Sequence, residues 1–166
     1  MLKAKPFIKW VGGKSQLIEQ LEAQLPADFD NWKNVTYIEP FVGGGAMLFY
    51  MLQRYPHIRR AIINDINPDL CTCYRTVRDM PEQLIKALYE VERTYLSLKT
   101  EEDRKSYFMS VREHYNEKKL NAIENTTLFF FLNRTCFNGL YRVNKKGLFN
   151  VPFGKYANPT ICDPGT

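Results

Sequence analysis

The sequence predicts an α/β protein, with a parallel-sheet half first and a mostly helical module after it. Three observations carry this. Val35–Glu39 and residues 60–66 read as strands, with a glycine turn and a helix between them. From Pro81 to Leu132 the apolar residues recur at helical spacing. Residues 133–159 are loop-rich, basic and aromatic.

Each element follows from local chemistry. After Lys14, the side chains of Leu17, Ile18, Leu21 and Leu25 fall on one helical face, and Pro26 and Asp28 end that helix. Val35-Thr36-Tyr37-Ile38-Glu39 is a short strand, followed by Gly43-Gly44-Gly45 and a helix through Met47 to Leu52. Residues 60–66 form a second, buried strand ending at Asp65. Strand, turn, helix and strand make one βαβ unit, which joins parallel strands. Leu84, Leu88, Val91, Tyr95 and Leu98 then keep helical spacing. Thr100 with Asp103 resembles a capping box opening a helix whose face carries Phe108, Val111 and Tyr115. A further helix runs from about Ala122 to Leu132, where Phe129, Phe130 and Phe131 read as packing residues.

At 166 residues the chain suits one domain, or one domain with a small insertion, and can bury a real core. Leu128–Leu132 is the strongest apolar run and is far too short to span a membrane. The opening Met1-Leu2-Lys3-Ala4-Lys5-Pro6-Phe7 has no apolar signal core, so a cytoplasmic location is expected. Cys71, Cys73, Cys136 and Cys162 form no C-x-x-C pair, and His57 and His114 lie far away. Reduced thiols are expected, with no metal. The net charge of +5 is confined. No Asp or Glu occurs from Asn125 to Cys162, a stretch holding Arg134, Arg142, Lys145, Lys146 and Lys155. Elsewhere 18 basic residues balance 18 acidic ones. A basic field so placed suits a polyanion partner, although a solvated loop with chance lysines has the same composition.

Gly12-Gly13-Lys14-Ser15 matches the end of a phosphate-binding loop, but the first glycine of that motif would fall on Ile8. A triphosphate site is therefore disfavoured. Backbone N–H groups at Gly12 and Gly13, with Lys14, suit another anion such as a carboxylate. The better nucleotide signal is Ile38-Glu39-Pro40-Phe41-Val42-Gly43-Gly44-Gly45-Ala46. Gly43 and Gly45 fit the first two places of G-x-G-x-x-G, while the third falls on Leu48. Asp65 ends the next strand, where an acidic side chain can accept ribose hydroxyls. Together these read as an adenosine-type pocket that demands no pyrophosphate.

The segments Lys9–Lys14, Glu39–Gly45 and Asn64–Asn67 resemble the S-adenosyl-L-methionine motifs of Dam-type (D12 class, alpha group) DNA adenine-N6 methyltransferases. Residues 131–156, FLNRTCFNGLYRVNKKGLFNVPFGKY, resemble that family's target-recognition segment. The resemblance covers essentially the whole chain and corresponds to the N-terminal portion of such an enzyme. It implies a Rossmann-like methyltransferase core with a partial sheet (1–68), an inserted, mostly helical target-recognition module (69–159) and the start of a return to the core (160–166). It also implies that Trp10, Gly12, Lys14, Glu39, Phe41, Gly43 and Asp65 bind the cofactor. Phe137, Asn138, Leu140 and Arg142 would face double-stranded DNA at the target site, expected to be GATC. Lys9, Asn150, Pro152 and Lys155 match further contact positions, and Lys145 and Lys146 suit phosphates. Arginine can read guanine through paired hydrogen bonds.

The family's chemistry rests on an Asp-Pro-Pro-Tyr tetrad. Adenine N6 is a poor nucleophile because its lone pair is delocalised into the ring. The tetrad's Asp and a backbone carbonyl accept the N6 hydrogens, while the tyrosine stacks on the flipped base. Asp163-Pro164-Gly165-Thr166 is only a half-match, and Asp163 reads as a turn residue. No catalytic residue is therefore assigned, and the 166-residue chain alone is expected to be inactive. A binding module without chemistry is the competing reading. The expected partners are DNA and either the remaining C-terminal half of the enzyme or a second copy.

Overall fold

The computed structural model describes residues 4–164. Gly165 and Thr166, the end of the expected return segment, lie outside the described residues. The chain divides into two compact units, one running to Asn67 and one spanning Pro68–Pro164.

In the first unit, Lys14–Leu17 form a 3-10 turn that runs into α1 (Ile18–Glu22). The sequence predicted one longer helix with a single apolar face. Three-residue hydrogen bonds also tighten its exit, Gln24 N to Leu21 O at 3.1 Å and Leu25 N to Glu22 O at 3.0 Å. A 3-10 turn has a different period from an α-helix, so the apolar residues do not stay in phase. Ile18 and Leu25 pack inward, and Leu17 and Leu21 stay exposed. Strands β1 (Val35–Glu39) and β2 (Ile58–Ile63) pair in parallel, with Ile38 opposite Ile62 and Glu39 opposite Ile63. They are joined through α2 (Ala46–Arg54), as a βαβ unit requires.

Two expectations for β2 are corrected. It ends at Ile63, so Asp65 sits in the loop beyond it. It is also mostly exposed rather than buried. Among the described residues of the first unit, the packed core covers one face of the two-stranded sheet. There Val35 and Tyr37 pack on a core of Phe29, Met47, Met51, Tyr55 and Ile58. On the other face Ile38 and Ile62 are 62% and 41% exposed.

The second unit consists of α3 (Pro68–Asp79), α4 (Pro81–Ser97), α5 (Glu101–Asn116) and α6 (Ala122–Thr135), followed by an irregular ribbon. The second helix is α4, with Leu84, Leu88 and Tyr95 buried. Thr100 caps α5 by accepting the Asp103 N–H at 3.0 Å. Asn121 and Glu124 form a reciprocal capping box at the start of α6. α6 packs against α3, α4 and α5. Its Phe129, Phe130, Phe131 and Leu132 are all buried, so it is apolar around much of its circumference, as a central helix must be. All four cysteines are free thiols, and burial pushes the Cys73 thiol up and Cys162 to about 11. Among the described residues no helix is long and apolar enough to cross a membrane.

Candidate functional site

The first candidate site lies where β1 and β2 end. Backbone pairing continues past the strands, with Asn64 N donating to Glu39 O at 3.0 Å and Val42 N to Asn64 O at 2.9 Å. These bonds fix the glycine turn beside the exit of β2. Gly43 has φ +53°, and a Cβ there would lie 3.1 Å from Trp10 Cδ1. Glycine therefore serves both the conformation and the close approach of the indole. The Asp65 carboxylate closes the turn, accepting the Gly43 N–H at 2.9 Å through one oxygen and the Asn67 N–H at 3.0 Å through the other.

Beside it, Lys14 donates to the Phe41 carbonyl and lies 3.0 Å from Glu39 Oε1. The second contact is an ion pair rather than an aligned hydrogen bond. Glu39 is 6% exposed, and its other oxygen accepts the Tyr37 hydroxyl at 2.9 Å. Burial, then that bond to Glu39, raises the Tyr37 hydroxyl well above its ordinary pKa. Phe41, Val11 and Ile66 flank these polar groups with large exposed apolar surfaces, 70%, 67% and 90%. Trp10, Gly43 and Asp65 form one set of contacts and Lys14, Glu39 and Phe41 another, and the backbone of the glycine turn with its Asn64 pairing joins the two. Gly12 has φ +76° and open space where a Cβ would stand, so it serves the turn rather than a close contact. The turn opens a 3-10 segment that runs into the short helix α1, so the Gly12–Gly13 N–H groups stand at the start of a short helical stretch.

The second candidate site is the ribbon that follows α6. Its base is antiparallel, with Phe137 N donating to Pro152 O at 2.9 Å and Gly154 N to Thr135 O at 2.8 Å. A hairpin rises from this base. Asn150 N donates to Arg142 O at 3.1 Å and Asn144 N to Leu148 O at 2.9 Å. The tip turns at Gly147, with φ +74°, and Asn144 Oδ1 accepts the Lys146 and Leu148 N–H groups at 2.9 and 3.1 Å. Lys145 and Lys146 stand exposed at this tip. Arg142 is fixed across the hairpin, Nε to Asn150 Oδ1 at 2.8 Å and Nη2 to Asn150 O at 3.2 Å. Phe137, Asn138 and Pro152 are exposed near the base, and Leu140 is half-buried. Lys155 stands apart, 3.1 Å from Glu101 in an exposed ion pair of the kind that contributes little. Lys9 is exposed in the first unit, away in sequence from the ribbon.

Sequence reasoning missed several of these contributors. Ile66 sits beside Asp65 as a nearly bare apolar side chain, and its exposure could not be read from a run that looked like buried strand. Tyr37 and Asn67 were also missed, since each acts through one hydrogen bond to an acidic residue already singled out. The alternation of strand side chains offered a signal for Tyr37, because it places residues 37 and 39 on one face.

Crevices at the carboxyl ends of parallel strands are where α/β proteins bind their ligands, and the first unit belongs to that class. The comparison with known families is more specific. The D12 class N6 adenine-specific DNA methyltransferases match residues 10–164, and the chain belongs to that family. It is 48% identical over 164 residues to the Type II methyltransferase M.MjaIII of Methanocaldococcus jannaschii, covering 98% of this chain and 56% of that protein. It is 37% identical over 165 residues to the Type II methyltransferase M1.LlaDCHI of Lactococcus lactis, covering 98% of this chain and 52% of that protein. With the DNA adenine methylase of Escherichia coli K12 it shares 33% identity over 159 residues, covering 96% and 51%. The chain therefore spans about half the length of these relatives. Family membership implies a methyl donor.

Proposed function

We propose that this chain supplies the cofactor-binding and DNA-reading parts of a cytoplasmic enzyme that transfers a methyl group from S-adenosyl-L-methionine to adenine N6 in double-stranded DNA. The observation that carries the proposal is the bond between Asp65 and the Gly43 N–H at the carboxyl ends of two parallel strands, in a chain of this family. Residues 1–68 are read as part of a Rossmann-like core, 69–159 as its inserted recognition module and 160–166 as the start of the return to the core.

The pocket residues fit the cofactor chemically. S-adenosyl-L-methionine carries a sulfonium, an ammonium and a carboxylate, a net positive charge. Glu39 and Asp65 with Lys14 present a net negative charge to it. Asp65 accepts the Gly43 and Asn67 N–H groups, and a carboxylate at this position has the acceptor chemistry that ribose hydroxyls need. An ammonium has three donors. Lys14 donates one to the Phe41 carbonyl and pairs with Glu39 by charge, and its ammonium also suits the ligand carboxylate. Phe41 and Ile66 offer apolar faces for the adenine, Trp10 walls the glycine turn, and Gly12 gives the approach its bend. When bound, the cofactor supplies an electrophilic methyl group.

On the DNA side, Arg142 reads a guanine of GATC, with its guanidinium aimed by Asn150. Phe137, Asn138 and Leu140 face the site of the displaced base, with Pro152 beside them. Lys9, Lys145, Lys146 and Lys155 contact phosphates. No residue from 4 to 164 is assigned the proton-accepting role at N6, which belongs to an Asp-Pro-Pro-Tyr segment on further polypeptide.

The test is methyl transfer from radiolabelled S-adenosyl-L-methionine to GATC-containing duplex, with equilibrium binding of the same cofactor. The 166-residue chain should bind cofactor and transfer nothing, and a longer form carrying the tetrad should transfer. Transfer by the chain alone would overturn the assignment and make Asp163 the first suspect. Absence of cofactor binding in both forms would sink the pocket. Binding without transfer in both would favour a module that holds DNA and cofactor and does no chemistry.

A further inference from the structure

The hairpin that carries Arg142 has only two strands, and such a ribbon is marginal in water unless something holds it. In an antiparallel pair, alternate residues turn their N–H and C=O groups away from the partner strand. Phe149 is such a residue, opposite Val143 and between the bonded positions at Leu148 and Asn150. Both of its outward backbone groups are taken by one side chain. Asn116, the last residue of α5, accepts the Phe149 N–H at 2.8 Å and donates to the Phe149 carbonyl at 3.0 Å. The Phe149 ring is 3% exposed and meets Tyr115 and Tyr141 at centroid distances of 6.2 and 5.9 Å. The next residue, Asn150, holds the Arg142 guanidinium by two bonds.

From this chain of contacts we infer that Asn116 is a positioning residue for sequence discrimination, acting through Phe149 and Asn150 on the aim of Arg142. The inference rests on the reading of Arg142 as the base-contacting arginine. A strand held at both backbone groups by one amide has a fixed register and direction. An arginine mounted on it then presents its donors in one orientation, which paired recognition of guanine requires. Asn116 lies at the edge of α5, while Phe108, Val111 and Tyr115 are the buried residues that pack the helix. Removing its amide therefore acts on the hairpin more than on the core.

Two measurements on the chain decide this. The first is amide hydrogen exchange in Asn116→Ala. Protection at Phe149 and Asn150 should fall at least about tenfold, while α6 amides keep theirs and report an intact fold. The second is a double-mutant cycle on DNA binding at one fixed salt concentration. The probes are a labelled duplex with a single GATC and the same duplex with its outer G·C pair replaced. Asn116→Ala should reduce discrimination about tenfold, within the range for loss of one base contact, and should reduce it no further once Arg142→Ala is present. Asn116→Asp keeps the acceptor and loses the donor, so it should fall between, and it replaces the alanine variant in both measurements if that variant does not fold. Unchanged exchange at Phe149, or losses of discrimination that add, would overturn the inference. If the unaltered protein does not distinguish the duplexes, the base-reading role of Arg142 falls, and the specificity half of the inference falls with it. Exchange alone then decides whether Asn116 holds the hairpin.

Discussion

Asp69 is an acidic residue held by several donors in the second unit. Its carboxylate accepts from the Tyr115 hydroxyl at 2.6 Å, the Lys118 ammonium at 3.1 Å, the Asn125 amide at 3.3 Å and the Tyr141 hydroxyl at 3.4 Å. Burial alone would push its pKa up, but the bonds from Tyr115, Lys118 and Asn125 with the Lys118 charge outweigh it, and the net shift is downward. The sign follows from linkage. A carboxyl whose folded pKa is depressed stabilises fully above its unfolded pKa, near 4, and loses that contribution as pH falls through the folded value. Asp69→Asn should therefore cost about 1–3 kcal/mol at pH 7, and the gap from the unaltered protein should narrow below about pH 4. Urea midpoints at pH 7, 4 and 3 check this, and a gap independent of pH would refute it. Gly154 makes a second point at this scale. A Cβ there would lie 2.5 Å from the Cys136 carbonyl oxygen, so Gly154→Ala should force the base of the ribbon apart and lower the urea midpoint. An unchanged midpoint would show that the ribbon base yields without cost. Neither role was legible in the sequence, because each depends on a partner distant along the chain. The Asp65–Gly43 association was legible, since a strand–glycine–helix–strand order places those positions together.

Helix ends and helix faces differed in how openly the sequence declared them. Thr100 with Asp103 marked the start of α5, and the structure has the Thr100 half of that box, while the Asp103 carboxylate accepts from the Thr100 hydroxyl instead of the backbone. The Asn121–Glu124 box went unread, though the start of α6 at Ala122 was placed correctly from apolar content. α3 was not anticipated as a helix at all. Its buried face is Leu70, Cys73 and Thr76, which is too small and too polar to mark a helical apolar stripe. Thr76 is tolerated at full burial because its hydroxyl donates to the Thr72 carbonyl at 3.0 Å and accepts from Thr126 at 3.0 Å. The polarity that hid the helix is satisfied by bonds that appear only once α3 and α6 pack. Asn121→Ala should remove one half of the box and cost about 1 kcal/mol, read as a shift in the denaturation midpoint. A loss near zero would mean that packing alone fixes the start of α6.

At the scale of the whole chain, the unfinished feature is the sheet. Parallel strands are ordinarily covered on both faces, because their hydrogen-bonded edges and apolar side chains need burial. Here α2 and the Phe29–Ile58 core cover one face, and Ile38 and Ile62 lie side by side on the other. The sequence foretold this in part. It offered two strands and no third, yet the buried appearance of residues 60–66 hid how bare the second face would be. Fully burying one isoleucine contributes about 1.5–3 kcal/mol, so a surface that covers both side chains gains appreciably from any contact that excludes water. The isolated 166-residue chain should accordingly self-associate as its concentration rises, unless further polypeptide covers that face first. Ile38→Lys places a charge at the centre of the exposed pair and should suppress the association, without touching Val35, Tyr37 or the core behind them. Sedimentation velocity over a wide concentration range measures both proteins directly. A chain that stays monomeric throughout would mean that the bare face is tolerated in water. Association that persists in Ile38→Lys would place the contact on some other surface.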